Sequence, residues 1–183
     1  MKKVAILLLS GMLLLTGCSS SPKITKGDIC VKKQGESKEI CYGMSRSDAE
    51  EIAGKGKDIG GKPGRFEYDH DLEIKYRDDK VVSLAIDEDS KDYYQFSSGL
   101  KIGDLKGVLE KRYGTSMEGK SESSIISYIY DSKRDRMMSK EELDNVTDAE
   151  EHPDQYIYLS AFDDPDGYLS SILIGDLASI LIR

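Results

Sequence analysis

Three cysteines carry the most distinctive chemistry in this 183-residue chain. Cys18 follows an apolar N-terminal segment, whereas Cys30 and Cys41 lie on either side of a Gly-Glu pair in the stretch DICVKKQGESKEICY. Two thiols at such a spacing could bind a metal ion, perform redox chemistry or form a structural disulfide. The compartment decides between these interpretations, because disulfides persist in oxidising compartments outside the cytoplasm.

The N-terminal segment has the features of an export signal. After Lys2 and Lys3 comes an apolar run of about 13 residues, which is signal-peptide length and too short to span a bilayer comfortably. The run ends in Leu15-Thr16-Gly17-Cys18, which resembles the bacterial lipoprotein signature. The resemblance implies that residues 1–17 are a signal peptide and that Cys18 carries acyl chains. An ordinary secretory signal or a stub of membrane helix are the alternatives.

Lipidation of Cys18 predicts both an anchor and a location. Each buried methylene contributes roughly 0.8 kcal/mol, so more than one acyl chain holds a protein stably on a membrane. We expect an extracytoplasmic protein on the bacterial cell membrane or outer membrane, with residues 18–27 as a polar tether. The formal net charge is −8, and removal of the signal makes it about −10, which argues against nucleic acid or anionic lipid as a partner.

Outside the cytoplasm, Cys30 and Cys41 form one even pair, so we predict a structural disulfide between them. A two-residue turn at Gly35-Glu36 gives a β-hairpin in which the two cysteines lie opposite each other. Directly opposed residues of such a hairpin have Cα atoms about 4.5 to 5.5 Å apart, at the edge of disulfide reach. A metal site would need further ligands, and a redox site would favour C-x-x-C; these are the alternatives.

A weak internal repeat predicts the architecture. The stretches YGMSRSDAEEIAG (42–54) and SGLKIGDLKGVLEKRYG (98–114) each predict a short capped helix, with Leu105 on the buried stripe of the second. Strands follow each helix. We therefore predict an α+β fold of two tandem repeats, each a short helix packed on an antiparallel β-meander. The first repeat covers 28–91 and the second 92–183, with a charged insertion at 132–154 that contains one helical turn after Ser139.

The lead into each predicted helix resembles that of two related envelope groups. The residues are Gly43-Met44-Ser45 with Asp48, and Gly99-Leu100 with Asp104. The groups are the small outer-membrane-assembly lipoproteins of the BamE (SmpA/OmlA) type and the tandem-repeat β-lactamase inhibitory proteins. The resemblance implies a helix-on-sheet fold and a binding role, without catalytic residues.

Three further motifs could carry chemistry, and each also suits a loop. Gly56 to Lys62 fits a phosphate-binding pattern, but Pro63 replaces the magnesium-binding hydroxyl. Asp163-Asp164-Pro165-Asp166-Gly167 lacks the spacing of a calcium-binding loop and favours a hairpin turn. Asp69-His70-Asp71 could bind a divalent ion with His152, but we interpret these residues as solvated turns. We predict no catalytic residues, no metal site and no cofactor.

The predicted strands of the second half are apolar on both faces. Tyr156, Tyr158 and Phe162 lie on one side of their strand, and Tyr128 and Tyr130 add to the aromatic count. One helix covers only one face, so the surplus is buried by the insertion or the C-terminal segment, or else binds a partner, where Tyr is favoured. All five aromatic residues are therefore candidate partner-binding residues.

These features predict a membrane-anchored, extracytoplasmic lipoprotein that acts as a non-catalytic protein-binding module in the cell envelope. The protein partner would be a component of that envelope. An inhibitor or sensor of an extracytoplasmic enzyme is the alternative within binding functions. A cell-envelope hydrolase or metal-dependent enzyme is the alternative of another class, favoured if His70 clusters with Asp or Glu side chains in a cleft.

Overall fold

The computed structural model describes residues 21–61, 64–118 and 124–181, which form an α+β fold of antiparallel sheets and a few short helices. The predicted signal peptide and Cys18 lie outside the described residues. The strands are β1 (Cys30–Lys33), β2 (Glu39–Cys41), β3 (Lys57–Asp58), β4 (Arg65–Tyr68), β5 (Leu72–Arg77), β6 (Lys80–Ile86), β7 (Tyr94–Phe96), β8 (Ile125–Asp131), β9 (Arg136–Met137), β10 (Tyr156–Asp163) and β11 (Leu169–Asp176). The helices are α1 (Arg46–Ala53), α2 (Gly107–Tyr113), α3 (Lys140–Leu143) and α4 (Leu177–Leu181), with 3-10 helices at Lys26–Ile29, Asp69–Asp71 and Glu88–Ser90.

Among the described residues, the strands form a small and a large sheet. The small sheet has the order β2-β1-β7, and the large sheet has the order β3-β4-β5-β6-β11-β10-β8-β9. Every pairing in both sheets is antiparallel. The centre of the large sheet is the β6–β11 pair, which joins strands that are far apart in sequence.

The N-terminal hairpin contains the predicted disulfide. Cys30 lies opposite Cys41, their Cα atoms are 4.0 Å apart, and their sulfur atoms are bonded. The predicted position of the turn is wrong by one residue: the Glu36 N–H donates to the Lys33 carbonyl at 3.1 Å, so Gly35 is the third turn residue, with φ of +82°. Pairing of β1 with β7 explains the shift, because the Gln34 N–H donates to the Tyr93 carbonyl.

Both predicted helices form, but the second begins later than its pattern indicates. α1 begins after Ser45, whose hydroxyl accepts the Asp48 N–H at 3.2 Å, as the capping pattern predicts. α2 begins at Gly107, so Leu105 precedes it and makes a β-bridge to Tyr168 instead. The prediction that Leu105 is buried is wrong, since its side chain is 55% exposed.

The main core lies on the face of the large sheet that we call the inner face. There the sheet packs against α1, α2 and the small sheet. β5 shows the underlying alternation, with Leu72, Ile74 and Tyr76 buried and the intervening residues partly exposed. The opposite face of the same sheet is the outer face, which carries Glu73 on β5 and the partly exposed positions of the neighbouring strands.

A second apolar cluster covers one end of the outer face. Ile129 and Tyr156 of the sheet pack there against Met138 and Ala149 of the predicted insertion and Leu177 of α4. α3 within this insertion begins at a capping box formed by Ser139, as predicted. The insertion and the C-terminal helix therefore bury part of the apolar surplus of the second half.

The N-terminal segment joins the core earlier than the predicted tether allows. Ile24 is 7% exposed and packs in the main core, although residues 18–27 show no core-forming pattern. Asp28 of the following 3-10 helix is buried and accepts a hydrogen bond from the Tyr113 hydroxyl at 2.6 Å. The Thr25 N–H donates to the same carboxylate at 2.7 Å. The packed part of the chain therefore includes Ile24, which the prediction places in the tether.

Candidate functional site

An open groove of about 470 Å³ on the outer face is the candidate functional site. Strand register brings its lining together from both halves of the chain. Across the sheet, Glu73 of β5 lies opposite Ala85 of β6, Ala85 opposite Leu173 of β11, and Leu173 opposite Ser160 of β10. This row crosses four neighbouring strands, from the charged Glu73 to Ser160.

Small side chains form the floor of the groove. Ala85, Ser160 and Ser171 line it from the three central strands. Close beside them, β11 approaches β6 so tightly at Gly175 that an added Cβ would lie 2.6 Å from the Val82 carbonyl oxygen. The short floor residues leave space for side chains of another molecule, which long outer-face side chains would otherwise fill.

The apolar wall of the groove consists of Tyr158, Phe162, Leu173 and Ile180. Phe162 is 44% exposed and is one of four large hydrophobic side chains that are exposed among the described residues. The hydroxyl groups of Tyr158 and Ser127 lie 3.1 Å apart and share a hydrogen bond that holds the Tyr158 ring beside the groove. The wall therefore offers a fixed aromatic contact surface to solvent.

The acidic wall lies on the opposite side and consists of Glu67, Asp71, Glu73 and Asp87. The only cation that lines the groove among the described residues is Arg65, which donates to both oxygens of Glu73 at 2.8 and 2.5 Å. This bidentate pair raises the pKa of the Arg65 guanidinium. Arg65 is thus paired with Glu73, and the wall contains three further carboxyl groups, those of Glu67, Asp71 and Asp87.

Asp71 stands out within the acidic wall. The pKa of the Asp71 carboxyl is raised, first because its protonated form can hydrogen-bond to the neighbouring Asp89; desolvation and the charges of Asp87, Asp89 and Glu67 raise it further. Like charges that lie close together disfavour ionisation in this way. The groove therefore holds mutually repelling carboxylates that a cation would stabilise.

The structure separates the five candidate partner-binding aromatics. Tyr158 and Phe162 lie together at the groove. Tyr128 and Tyr130 point to the inner face and belong to the main core, at 2% and 8% exposure. Tyr156 is on the outer face but lies under the insertion, where its hydroxyl donates to Asp148 at 3.1 Å. Only Tyr158 and Phe162 remain candidates for direct contact with a partner.

The sequence prediction missed the acidic wall and Ile180. Asp71 and Asp87 lie far from Tyr158 in sequence, and only the pairing of β6 with β11 brings them to the same groove. One signal was available, because Glu73 alternates with the buried residues of β5 and therefore had to lie on the outer face.

The sites considered for metal or calcium binding form turns or a disulfide. His70 lies in an exposed turn, and its ring stacks on Tyr93 at a centroid distance of 3.8 Å. Asp164 accepts the Tyr168 N–H at 2.9 Å and thereby closes the β10–β11 hairpin turn. Among the described residues, three potential ligands converge only at Cys30, Glu39 and Cys41, and the two sulfur atoms are bonded to each other.

A buried polar network around Asp176, at the end of β11, is satisfied internally. Asp176 has a fully buried side chain and accepts a hydrogen bond from Arg77 at 2.6 Å and one from the Tyr42 hydroxyl at 3.0 Å. Burial is the main cause that raises the pKa of Tyr42, with a hydrogen bond to Asp154 next. Tyr42 stays protonated at neutral pH, so the network ties the N-terminal hairpin to β5 and β11.

Every helix in the described parts of the chain is too short or too polar to cross a membrane. The groove combines a small-residue floor, an aromatic wall and an acidic wall on an open sheet face.

No protein-family model, curated protein or solved structure matches the chain.

Proposed function

We propose that the protein is a lipid-anchored, extracytoplasmic binding module of the bacterial cell envelope, and that the groove binds a protein partner. The observation that carries this proposal is the exposed Phe162 beside Tyr158 on a sheet face whose other end is already covered. Aromatic residues that are held rigidly at the surface are the usual anchors of protein interfaces.

The anchor rests on the sequence at Cys18, with support from the disulfide. A Cys30–Cys41 bond is stable in oxidising compartments outside the cytoplasm, and it therefore agrees with an exported protein. The lipoprotein signature then assigns Cys18 to acylation, and the packed N-terminal segment leaves a tether of a few residues. Location on a bacterial cell membrane or outer membrane follows from the same signature.

A non-catalytic role agrees with how the chemically versatile side chains are used. Cys30 and Cys41 are joined, and His70 is stacked against Tyr93 instead of facing the groove. Tyr42, the phenol in the best-developed polar network, is held protonated. These groups stabilise the fold. The cell-envelope hydrolase or metal-dependent enzyme therefore receives less support than a binding function.

We further propose that the two halves are tandem repeats of the kind that the resemblance to BamE-type lipoproteins and β-lactamase inhibitory proteins implies. Matching hydrogen bonds support this proposal. The Gly43 N–H donates to the Val81 carbonyl at the start of β6, and the Gly103 N–H donates to the Leu169 carbonyl at the start of β11, both at 2.8 Å. This correspondence aligns Gly43 with Gly103 instead of with Gly99.

Photo-crosslinking in cells tests the binding function. A photo-reactive amino acid at position 162 of the full-length protein should form a discrete adduct with an envelope protein. The same amino acid at position 105, which is similarly exposed but lies outside the groove, should not. Ala85→Arg, which fills the groove floor, should abolish the adduct at position 162, whereas Glu51→Arg on α1 should leave it unchanged.

The result that contradicts the proposal is equally specific. Adducts of equal yield at positions 162 and 105, or an adduct at 162 that survives Ala85→Arg, would exclude the groove as the binding surface. Folding of each variant is checked by the resistance of its disulfide to a reductant and by the midpoint of its thermal unfolding. In the same cells, Cys18→Ser should release the protein from the membrane fraction, and retention there would contradict the anchor.

A further inference from the structure

The charges of the acidic wall identify the chemistry that the groove would recognise. Arg65, the one cation among the described residues that line the groove, is paired with Glu73. The side chains of Glu67, Asp71 and Asp87 are partly buried, so salt screens their charges less than those of fully exposed groups. Among the described lining residues, four carboxyl groups therefore face one cation at one side of the groove, with an aromatic surface at the other side.

The carboxyl groups of the wall lie close to one another. The pKa of Asp71 is raised, first because its protonated form can hydrogen-bond to Asp89, and then because of desolvation and the nearby charges of Asp87, Asp89 and Glu67. Asp87 also accepts the Asp89 N–H at 3.1 Å, so the backbone holds Asp87 and Asp89 beside each other. An incoming cation would relieve the repulsion among these carboxylates, whereas an incoming anion would increase it.

Strand register sets the distance between the acidic and apolar walls. Asp87 follows Ile86, which lies opposite Ile172 of β11, and Phe162 of β10 lies opposite Ser171. Asp87 and Phe162 are therefore two strand spacings apart, or about 10 Å. In an extended segment, residues i and i+2 lie about 7 Å apart on the same face, and a Lys or Arg side chain reaches several ångströms further.

We propose that the groove binds an extended segment of the protein partner, with an apolar side chain against Phe162 and a Lys or Arg two residues away against Asp71 and Asp87. This inference rests on the proposed function and adds the chemistry of the partner. The occupant is a basic and apolar segment, because an acidic or uncharged one would bring no cation to these carboxyl groups. The net negative charge of the chain further favours approach of a cationic segment.

Binding of short synthetic peptides to the full-length protein in a non-ionic detergent tests the inference. Fluorescence anisotropy would compare labelled Ser-Leu-Thr-Arg-Ser with versions that carry Gln or Glu in place of Arg, and with a version that carries Ser in place of Leu. The Arg peptide should bind about fivefold more tightly than the Gln peptide at low salt. The Glu peptide should bind most weakly, and the preference for Arg should shrink at high salt.

Matched variants assign the preference to the groove. Asp71→Asn/Asp87→Asn should equalise the Arg and Gln peptides, because Asn keeps the size and the turn contacts but removes the charge. Glu51→Gln, which removes an exposed charge from α1, should preserve the preference for Arg. Phe162→Ser should weaken all peptides that contain Leu, and Leu105→Ser should weaken none of them.

Several outcomes would overturn the inference. Equal affinities of the Arg, Gln and Glu peptides would show that charge does not select the occupant. Absence of binding of any peptide up to about 1 mM would show that the groove does not bind such segments. Saturable binding of Ca²⁺ at the acidic wall that excludes the Arg peptide would show that the wall binds a metal ion instead. If the crosslink at position 162 persists in these cases, only the stated chemistry fails; if the crosslink is also absent, the proposed function fails with it.

Discussion

Reduction of the Cys30–Cys41 disulfide should destabilise the protein by an amount that the structure fixes. The bond closes a loop with a sequence separation of 11, and the chain-entropy relation gives about 2.8 kcal/mol at 25 °C for a loop of this length. For a protein of this size, each kcal/mol shifts the Tm by roughly 2–4 °C. We therefore expect reduction to lower the Tm by about 6–11 °C.

Thermal unfolding followed by circular dichroism, with and without a phosphine reductant, measures this effect. Reduced wild-type protein keeps both sulfur atoms in place, so its Tm isolates the contribution of the bond. The Cys30→Ala/Cys41→Ala variant controls for other effects of the reductant, and its Tm should not respond. Both Cys residues pack within the hairpin, and Cys30 is fully buried, so the variant also loses packing and should melt at or below reduced wild type.

A wild-type Tm that stays unchanged while both thiols are demonstrably free would refute the loop-entropy reasoning. A Tm that falls with a metal chelator and not with the reductant would instead indicate a metal bound by the two thiolates and Glu39. The two treatments therefore distinguish the disulfide from the principal alternative at this position.

Two further predictions concern buried and partly exposed acidic residues. Tyr113→Phe should lower the free energy of unfolding in urea by about 2 kcal/mol, because it removes a hydrogen bond to the buried Asp28 carboxylate; Tyr168→Phe, at a 45% exposed position, should change it little, and equal effects would contradict the prediction. The pKa of Glu142 is lowered to about 2 by its hydrogen bonds from Arg136 and the Ser139 backbone, so its contribution to stability is present above its ordinary pKa and is lost as pH falls toward 2. Carboxyl NMR should show Glu142 titrating near pH 2, and titration near its ordinary value of 4.5 would exclude the pair with Arg136.

Local patterns predicted the parts of the fold that depend on neighbouring residues. The hairpin register at Cys30 and Cys41 and the cap at Ser45 each follow from spacing within a few residues. The predicted position of the turn at Gly35 and the predicted burial of Leu105 were wrong, because each feature depends on a distant strand. β7 fixes the first, and Tyr168 at the start of β11 fixes the second.

The candidate site could be predicted only in part for the same reason. Tyr158 and Phe162 share one face of β10 by the two-residue period of a strand, which the sequence shows directly. Tyr128 and Tyr130 were grouped with them, but they lie opposite Leu159 and Ile157, so they point to the inner face. That pairing spans a long insertion, and no local pattern sets it.

The buried position of Ile24 determines the side of the molecule from which the N-terminal segment leaves the core. Ile24 packs on the inner side of the large sheet, while the groove opens on the outer side. Six peptide steps separate Cys18 from Ile24, so the lipid would sit within about 22 Å of that side. If Cys18 carries the proposed anchor, the chain leaves the lipid on the side of the sheet opposite the candidate groove, so the anchor itself does not cover the groove.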